Sequence, residues 1–374
     1  MINRPASSMN TKKILFILND LTGGGAERVF VNIANNFTEQ GIGTEILLGR
    51  QEGVYLDILD PAIAIYELRA SNFYQYFRKL RRFLRDNNYT HIFTASNYIS
   101  AATILAKKKL KFPAKIIATL HYDLPYQLSI LPLPQRILVK YLNKEFISKA
   151  DKIVAVSKGV AEGFIKIIGV DERSDVKVIF NPVFDDSIYQ KGREKIAEGI
   201  FDKGKITLIN AGRLEEQKNH RLLIRAFQLL LANRENMQLL IIGQGSLDQE
   251  LKNLVNELGL ERNVHLIGFK QNPYAYMAQS DLFVLSSSFE GLPTVLIEAM
   301  ALGVNVVSTD CPSGPAEILE QGKYGWLAKN NDAVSLATAI EQGLMNRKDA
   351  SFLQERAKLF HKKNIIPQYV DLLN

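Results

Sequence analysis

The stretch KKILFILNDLTGGGAERVFVNIANNF, residues 12–37, contains the first strong secondary-structure signal in the chain. It opens with a short apolar run, Ile14–Leu18, which has the length of a buried strand. Three glycines interrupt the run, and apolar residues then return at helical spacing, namely Phe30, Ile33, Ala34 and Phe37. The stretch therefore predicts a strand, a tight loop and a helix in direct succession.

The same alternation continues along the chain. In the first half, further strands are predicted at 44–48, 90–94, 115–120 and 151–156. In the second half, the predicted strands are 206–212, 237–243, 263–268, 281–287 and 304–309, and the predicted helices are 219–232, 247–258 and 293–302. Strands that alternate with helices indicate a parallel sheet covered on both faces. We therefore predict an α/β protein with two doubly wound, Rossmann-like domains.

The length of 374 residues favours two domains, because one domain usually takes about 100 to 200 residues. Proline, acidic residues and poor periodicity in the segment 181–195 are typical of a linker. We predict an N-terminal domain at 1–185, a C-terminal domain at 186–350, and a helical segment at 351–374 that packs back toward the N-terminal domain. If the two domains face each other across a cleft, ligands should bind there, outside the carboxyl ends of the strands.

Composition narrows the class of protein. Hydrophobic residues make up 47% of the chain and charged residues 23%, which is typical of a globular protein. The single cysteine, Cys311, cannot form an internal disulfide, so we expect a reducing compartment, the cytoplasm by default. The polar start MINRPASSMN lacks the apolar stretch of a secretion signal, and no apolar run is long enough to cross a membrane.

Positive charge is concentrated in one part of the chain. Residues 69–149 contain 15 Lys or Arg and 3 acidic residues, whereas the net charge of the whole chain is +7. Basic residues alternate there with aromatic and aliphatic ones, at 76–86, 106–112 and 135–149. A basic amphipathic face favours an anionic surface, such as lipid headgroups or nucleic acid, and a plain solvated helix face is the equal alternative.

Two glycine-rich strand ends could contact phosphate. The turn GGGAER, residues 23–28, contains Gly24 and Gly25, and IIGQGS, residues 241–246, contains Gly243. Glycines let the backbone approach a ligand, and a helix N-terminus offers unpaired N–H groups to an anion. The first turn lacks the dinucleotide spacing Gly-x-Gly-x-x-Gly, so an NAD site is disfavoured. A purely structural turn is the alternative.

Two cations fall in the loop NAGRLEEQKNH, residues 210–220. Arg213 offers a fork of donors and Lys218 a point charge, so together they could neutralise a diphosphate. The alternative is that they pair with the neighbouring Glu215 and Glu216.

The stretch SSFEGLPTVLIEAMALG, residues 286–302, places Glu290 in a loop and Glu298 in a helix. Pro293 suits the first helical position, so free N–H groups, including that of Thr294, point out of the helix and favour an anion. Glu290 can then accept hydrogen bonds from sugar hydroxyls beside that anion, and Glu298 from the hydroxyls of a ribose. A nucleotide diphosphate sugar would fit between them. The alternative is an exposed pair that serves helix capping and solubility.

Together these motifs resemble a known family. GGGAERV, GRLEEQKN and EGLPTVLIE, with its Glu-x7-Glu spacing, look like the retaining glycosyltransferases of family 4, which have the GT-B fold. The likeness covers almost the whole chain. CPSGPAEIL, residues 311–319, is similar to the subgroup that acts in lipopolysaccharide, capsule or exopolysaccharide assembly, usually with UDP-sugar donors.

The resemblance implies roles for the matching residues. The cations would hold the donor diphosphate, Glu290 and the next two backbone groups the donor sugar, and Glu298 the ribose. The implied donor-binding set is Gly24, Gly25, Arg213, Lys218, Gly243, Glu290, Gly291, Leu292, Thr294 and Glu298. The implied catalytic set is His121, Glu290, Arg213 and Lys218.

Two further residues follow the strand 115–120. His121 matches the family's cleft histidine near the sugar and the acceptor, although a lone histidine is usually a structural residue. Asp123 is a further candidate for acceptor contact. No Asp-x-Asp triplet occurs in the sequence, so we expect no metal ion and no other cofactor. Helix dipoles and the two cations can instead stabilise the leaving diphosphate.

The sequence thus favours transfer of a hexose or N-acetylhexosamine from a UDP-sugar to a lipid-linked or lipopolysaccharide-type acceptor. The expected location is the cytoplasm, with peripheral attachment to an anionic membrane face as an option and no nucleic-acid partner. Two alternatives stay open. One is a GT-B UDP-sugar 2-epimerase, which needs no acceptor, and the other is a non-catalytic nucleotide-sugar-binding partner of another transferase.

Overall fold

The computed structural model describes residues 12–169, 176–196, 199–202 and 204–374. The described chain forms two compact units. The first comprises the described residues of Met1–Pro182 together with Ile365–Asn374, and the second comprises those of Val183–Asn364. The chain thus changes unit three residues before the expected boundary at 185, and within 351–374 only the last ten residues group with the first unit.

The first unit is built on a seven-stranded parallel sheet with the order β3-β2-β1-β4-β5-β6-β7. Its strands are β1 Lys13–Leu18, β2 Gly43–Leu48, β3 Ala64–Glu67, β4 His91–Thr94, β5 Lys115–Leu120, β6 Lys152–Ala155 and β7 Val176–Val178. Its helices are α1 Gly25–Glu39, α2 Phe73–Asp86, α3 Asn97–Leu110, α4 Leu124–Ile130, α5 Leu133–Glu145 and α6 Lys158–Ile168.

The opening stretch forms the centre of this unit, as predicted. β1 lies between β2 and β4, and its residues 14–18 are buried because helices cover both faces of a parallel sheet. The four apolar residues of α1 that recur at helical spacing are all buried. Phe16 packs edge to face on Phe30 and stacks on Phe93, with ring centroids 5.2 and 4.9 Å apart.

The second unit holds a six-stranded parallel sheet with the order β10-β9-β8-β11-β12-β13. Its strands are β8 Ile206–Ala211, β9 Met237–Ile242, β10 Val264–Leu266, β11 Leu282–Leu285, β12 Val306–Thr309 and β13 Trp326–Ala328. The remaining helices are α7 Ser187–Gly192, α8 His220–Leu231, α9 Asp248–Glu257, α10 Pro273–Ala278, α11 Thr294–Ala301, α12 Pro315–Ile318, α13 Ala333–Met345, α14 Ala350–Lys358 and α15 Lys362–Val370.

The two sheets confirm the predicted pair of doubly wound α/β domains. Every predicted strand forms, with ends that differ by at most two residues. Three strands, β3, β7 and β13, were not predicted, because each has only three or four residues and lies at an edge of its sheet. The predicted linker 181–195 is also more ordered than expected, since it contains α7 and a β-bridge between Phe184 and His361.

In each sheet the strand order reverses between two neighbouring strands. The reversal lies between β1 and β4 in the first unit and between β8 and β11 in the second. Loops that leave the carboxyl ends of such neighbours diverge and make room for a ligand. Among the described helices, none is both long enough and apolar enough to cross a membrane.

Candidate active site

The loop that follows β8 is packed against the loop that follows β9. The backbone N–H of Leu214 donates to the carbonyl of Gln244 at 3.0 Å. The backbone N–H of Gly212 donates to the carbonyl of Ile242 at 2.9 Å. Gly243 has a φ of +152°, and a Cβ there would overlap the carbonyl oxygen of Gly212. Glycine is therefore required at 243 by the packing of the two loops, whether or not a nucleotide also contacts it.

Lys218 and Glu290 form an ion pair at the reversal point of the second sheet. Lys218 Nζ lies 2.6 Å from Glu290 Oε1, and the two side chains are 16% and 7% exposed. Ser287 Oγ donates to the same carboxylate oxygen at 2.7 Å. Because one residue follows β8 and the other follows β11, the adjacency of these strands brings together groups that are 72 positions apart.

Backbone contacts hold the two loops in this register. The N–H of Ser288 donates to the carbonyl of Gln217 at 2.9 Å, and Gln217 Nε2 donates to the carbonyl of Phe289 at 3.1 Å. Ser286 Oγ donates to the carbonyl of Lys218 at 2.8 Å. Sequence reasoning missed Gln217, Ser286 and Ser287, because nothing in the local pattern separates them from ordinary loop residues.

The alternative pairing of the two cations with Glu215 and Glu216 is wrong. Glu216 instead pairs with Arg221, at 2.7 Å. Glu215 accepts hydrogen bonds from the backbone and hydroxyl of Ser246, at 2.9 and 2.7 Å. Arg213 is exposed and forms no ion pair with another described residue.

Charge still links Arg213 to its neighbour. The backbone N–H and the hydroxyl of Ser246 lower the pKa of Glu215, and the Arg213 guanidinium lowers it further. Arg213 therefore has a nearby counter-charge but no fixed partner, which leaves its donors available to an anion.

Helix α11 starts beside Glu290. It begins at Thr294, with Pro293 at the N-cap position, so the helix starts one residue later than predicted. Gly291, Leu292 and Pro293 are buried, and the backbone N–H of Glu290 donates to the carbonyl of Pro312 at 3.2 Å. The first turn contains no acidic side chain, so its positive end is not neutralised within the helix.

Glu298 is almost completely buried, with 1% of its surface exposed. The hydroxyl of Tyr274, at the start of α10, donates to Glu298 Oε1 at 3.0 Å. The alternative of an exposed glutamate pair that serves capping and solubility is therefore wrong, because Glu290 is also only 5% exposed. A buried carboxylate needs hydrogen-bond donors, and no local sequence pattern identifies Tyr274 as one of them.

His121 lies directly after β5 in the first unit and is buried. Its Nε2 lies 2.9 Å from Thr119 Oγ1, and Thr119 Oγ1 in turn donates to the carbonyl of Thr94 at 3.0 Å. Since the single hydroxyl hydrogen goes to Thr94, Thr119 must accept from the histidine, which assigns the proton to Nε2. Nδ1 is then the hydrogen-bond acceptor of the ring.

Burial lowers the pKa of His121 to about 4. The imidazole is therefore neutral at pH 7, which allows it to accept a hydrogen bond from a hydroxyl and makes it a poor proton donor. Phe30 packs edge to face on the ring, with centroids 5.9 Å apart.

The other predicted residues of the first unit lie at helix N-termini. Gly24 is the N-cap of α1 and Gly25 its first residue. Asp123 is the N-cap of α4 and accepts from the backbone N–H of Tyr126 at 2.8 Å. This cap accounts for Asp123 without an acceptor, so its predicted contact with acceptor stays a prediction.

In the parts of the chain that the structure describes, no group of three or more His, Cys, Asp or Glu side chains is arranged to hold a metal ion. In the loops that follow β8 and β11, positive charge comes instead from Lys218, Arg213 and the N-terminus of α11. Such a set suits an anion with a neutral, hydroxyl-rich group attached.

Two family models match the chain. The model described as Glycosyltransferase Family 4 matches residues 23–186, and the model described as Glycosyl transferases group 1 matches residues 192–360. Each match corresponds closely to one of the two units.

Several relatives are glycosyltransferases. An N-acetylgalactosamine-N,N'-diacetylbacillosaminyl-diphospho-undecaprenol 4-alpha-N-acetylgalactosaminyltransferase of Campylobacter jejuni is 36% identical over 60% of this chain and 60% of its own length. An uncharacterized glycosyltransferase of Methanocaldococcus jannaschii is 36% identical over 50% of this chain and 49% of its own. The lipopolysaccharide 1,6-galactosyltransferase of Escherichia coli is 25% identical over 88% of each chain. The first two matches thus span about half to three fifths of the relatives' own lengths.

Solved structures share the fold. The chain superposes on Anabaena HepE, in complex with UDP and glucose, with a TM-score of 0.79 and 21% identity over 97% of this chain and 99% of that one. It superposes on the lipopolysaccharide outer core galactosyltransferase WaaB with a TM-score of 0.73 and 20% identity, over 96% and 98% of the two chains. The fold is GT-B, and the chain belongs to the family 4 glycosyltransferases.

Proposed function

We propose that the protein is a retaining glycosyltransferase that transfers a hexose or N-acetylhexosamine from a UDP-sugar to a lipid-linked or lipopolysaccharide-type acceptor. The observation that carries the proposal is the Lys218–Glu290 pair at the reversal point of the second sheet, beside the N-terminus of α11. A cation, a carboxylate and free backbone donors meet there, as a diphosphate attached to a sugar requires.

The donor diphosphate would lie at Lys218 and Arg213. Lys218 supplies a largely buried ammonium, and Arg213 supplies an exposed guanidinium without an ion-pair partner among the described residues. The backbone N–H groups at the start of α11, including that of Thr294, add donors for a phosphate oxygen. Fixed donors aimed at the charge that grows on a leaving phosphate are the main catalytic device in such a site.

Glu290 would accept hydrogen bonds from hydroxyls of the donor sugar, with the backbone of Gly291 and Leu292 alongside. Glu298 would bind the ribose, and the Tyr274 hydroxyl fixes one of its oxygens. The activities of relatives support this class of substrate, because those proteins transfer sugars to undecaprenol-diphosphate-linked or lipopolysaccharide acceptors. The UDP and glucose bound to HepE support a UDP-sugar donor.

The reaction would proceed on one face of the sugar. The bond between the anomeric carbon and the diphosphate oxygen breaks with both electrons leaving on the oxygen, and the acceptor oxygen bonds to the same face of that carbon. The acceptor proton passes to the leaving diphosphate. Neutral His121 keeps a hydrogen-bond acceptor at Nδ1, and its predicted catalytic role stays a prediction. We propose that no metal ion takes part, because Lys218, Arg213 and the α11 N-terminus already supply positive charge.

The test has two steps. In a thermal-shift screen over UDP-, GDP- and ADP-sugars, UDP-sugars should stabilise the protein selectively, by about 2.7 kcal/mol when the ligand is at about 100 times its Kd. Arg213→Ala should then lower transfer about 100-fold or more at unchanged melting temperature. Lys218→Ala should lower transfer as much, with a lower melting temperature because the buried Glu290 carboxylate loses its cation. Near-normal turnover in both variants would refute the diphosphate site. An isomerised UDP-sugar without transfer would favour the 2-epimerase, and donor binding without turnover would favour the non-catalytic partner.

We also propose that the first unit docks on an anionic lipid bilayer through α5. Leu133, Ile137 and Tyr141, spaced by four, form an exposed apolar stripe along this helix. Arg136, Lys140 and Lys144 are spaced in the same way and form a basic stripe beside it. Apolar and basic stripes side by side on an exposed helix are the pattern of an interfacial helix.

The α5 stripe suits a bilayer better than α2 does. Two of the five basic residues of α2, Arg82 and Arg85, pair with Asp86. No basic residue of the α5 stripe forms an ion pair with another described residue. Each unpaired basic side chain near an anionic membrane contributes about 1 kcal/mol.

Sedimentation with vesicles tests the docking. Vesicles of phosphatidylglycerol and phosphatidylcholine should bind the protein, and pure phosphatidylcholine vesicles should bind it at least about tenfold less. Replacing Leu133, Ile137 and Tyr141 with Ser should abolish binding. Replacing Val334 and Met345, which are equally exposed apolar residues of the second unit, should leave it unchanged. Equal binding to both vesicle types would leave only the solvated-face alternative.

A further inference from the structure

A cavity opens beside His121 in the first unit. It lies at the carboxyl ends of β4 and β5, against α4, α5 and α6, and its volume is about 110 Å³. Three side-chain amides line it, those of Asn97, Gln127 and Asn143. We call it the amide pocket.

Asn143 is the most unusual of these residues. It is 1% exposed, on a helix whose only other buried residue is Val139. Its Nδ2 donates to the carbonyl of Val139 at 2.8 Å, but its Oδ1 has no hydrogen-bond partner among the described residues. A buried acceptor without a partner costs about 1 to 3 kcal/mol, so the pocket is built to receive a hydrogen-bond donor.

The other polar groups point to the same kind of occupant. Asn97 Nδ2 donates to Gln127 Oε1 at 3.2 Å, which leaves the Asn97 Oδ1 as another acceptor. His121 Nδ1 is an acceptor as well, since its Nε2 carries the proton. None of the described residues that line the pocket is a Lys, Arg, Asp or Glu. A phosphate or a carboxylate would therefore find no counter-charge there.

Apolar side chains complete the wall. Leu120, Leu124 and Phe164 line the pocket and are buried. Tyr98 also lines it and is 45% exposed, so its ring can stack on a flat face of a ligand. The occupant should thus be neutral, with an N–H or O–H donor beside a small apolar group, on a ring that an aromatic side chain can cover.

We propose that the amide pocket binds an acetamido sugar of the acceptor. The acetamido N–H would donate to Asn143 Oδ1, and its methyl group would pack on Leu120, Leu124 and Phe164. A sugar with a hydroxyl in place of the acetamido group can still donate a hydrogen bond to Asn143 Oδ1. It has no methyl group to pack on the apolar side chains. The inference rests on the proposed glycosyltransferase function and specifies its acceptor as an N-acetylhexosamine-bearing glycan.

Saturation-transfer NMR with free monosaccharides tests this on the wild-type protein. N-acetylglucosamine and N-acetylgalactosamine are compared with glucose and galactose. The acetamido methyl should receive the strongest saturation, and the hydroxyl sugars should bind at least about tenfold more weakly, since 1.4 kcal/mol is a factor of ten. Equal signals for the two kinds of sugar, or no signal for either, would overturn the proposal.

A variant pair then locates the site. Asn143→Leu removes the unpartnered oxygen and should reduce the methyl signal at least about tenfold. Asn181→Leu is the matched control, because Asn181 is also buried in the first unit with an unpartnered Oδ1 and does not line the amide pocket. An unchanged methyl signal in Asn143→Leu, or an equal loss in both variants, would overturn the assignment. If Asn143→Leu does not fold, the wild-type comparison still decides.

UDP-sugar binding by calorimetry keeps the two proposals separate. Loss of monosaccharide selectivity with intact UDP-sugar binding refutes only the acetamido site. Absence of UDP-sugar binding refutes the proposed function and removes the reason to call the bound sugar an acceptor.

Discussion

Replacing Glu290 with Gln should make the protein bind UDP more tightly while it slows sugar transfer. In the structure Lys218 Nζ lies 2.6 Å from Glu290 Oε1, so the cation expected to bind the diphosphate is already paired. Gln keeps the shape of the side chain and retains an oxygen that can accept from Ser287 Oγ, 2.7 Å away. The substitution therefore removes one charge and little else.

The magnitude follows from the geometry of a shared ammonium. A phosphate oxygen about 2.8 Å from Lys218 Nζ would lie roughly 4.5 Å from the Glu290 carboxylate. Two unit negative charges at that distance repel each other by about 4 kcal/mol at an effective dielectric constant of about 20. The positive charge of Lys218 offsets part of this repulsion. We therefore expect UDP to bind at least about tenfold more tightly to Glu290→Gln than to the wild type, which corresponds to about 1.4 kcal/mol.

Isothermal titration calorimetry with UDP measures the effect. The control is Glu216→Gln, which also removes one negative charge, from the loop that carries Lys218. Glu216 is exposed and paired with Arg221 at 2.7 Å. That change should alter UDP affinity less than about twofold, because exposed charges are screened. Transfer by Glu290→Gln should fall, since the donor sugar loses a carboxylate. UDP affinity that is unchanged or weaker in Glu290→Gln would refute the idea that Glu290 and the diphosphate share the Lys218 ammonium.

Three further outcomes are expected. Tyr274→Phe should raise the KM for the UDP-sugar about tenfold with a smaller change in kcat, because the hydrogen bond that positions Glu298 Oε1 is lost; an unchanged KM would contradict this role. Transfer should persist in excess chelator, and strict dependence on added magnesium would contradict the metal-free reaction. Burial lowers the pKa of His121 from 6.5 to about 4, so the folded state binds fewer protons than the unfolded state between these values and stability should fall as the pH drops from 6.5 to 4. In His121→Asn, the free energy of unfolding should fall less steeply over this range, by up to about 1.4 kcal/mol per pH unit. Thermal melting at several pH values measures this. A pH profile identical to that of the wild type would show that His121 is not a buried neutral group.

The elements could be predicted from the sequence wherever burial imposes a clear pattern. β1 and α1 were predicted because the apolar run and the 3.6-residue period both reflect burial. β13 was not, because three residues at a sheet edge leave too short a pattern to separate from a loop.

The sequence identified candidate site residues, but it did not identify their ion-pair and hydrogen-bond partners. The local sequence indicated Glu215 and Glu216 as ion-pair partners of Lys218, because they are its neighbours in sequence. The partner is Glu290, because the reversal of strand order makes β8 and β11 adjacent and the two loops meet. Strand order is a tertiary property that no local pattern encodes, and the same reason hides the contact between Tyr274 and Glu298.

Helix α5 takes part in both the proposed bilayer docking and the proposed acetamido-sugar binding. The two roles use different faces of the helix. Leu133, Ile137 and Tyr141 are exposed, whereas Val139 and Asn143 are buried, so one helix carries both the stripe proposed to touch lipid and a wall of the amide pocket. An α-helix with side chains is about 10 to 12 Å across. A sugar in the pocket would thus lie about one helix diameter from the bilayer surface, within reach of a diphosphate that links it to a lipid. Because the faces share no side chain, the Ser variants of the stripe should keep N-acetylglucosamine binding, and Asn143→Leu should keep vesicle binding. Loss of both properties in either variant would mean that α5 acts as a whole through the fold and that neither face is a site of its own.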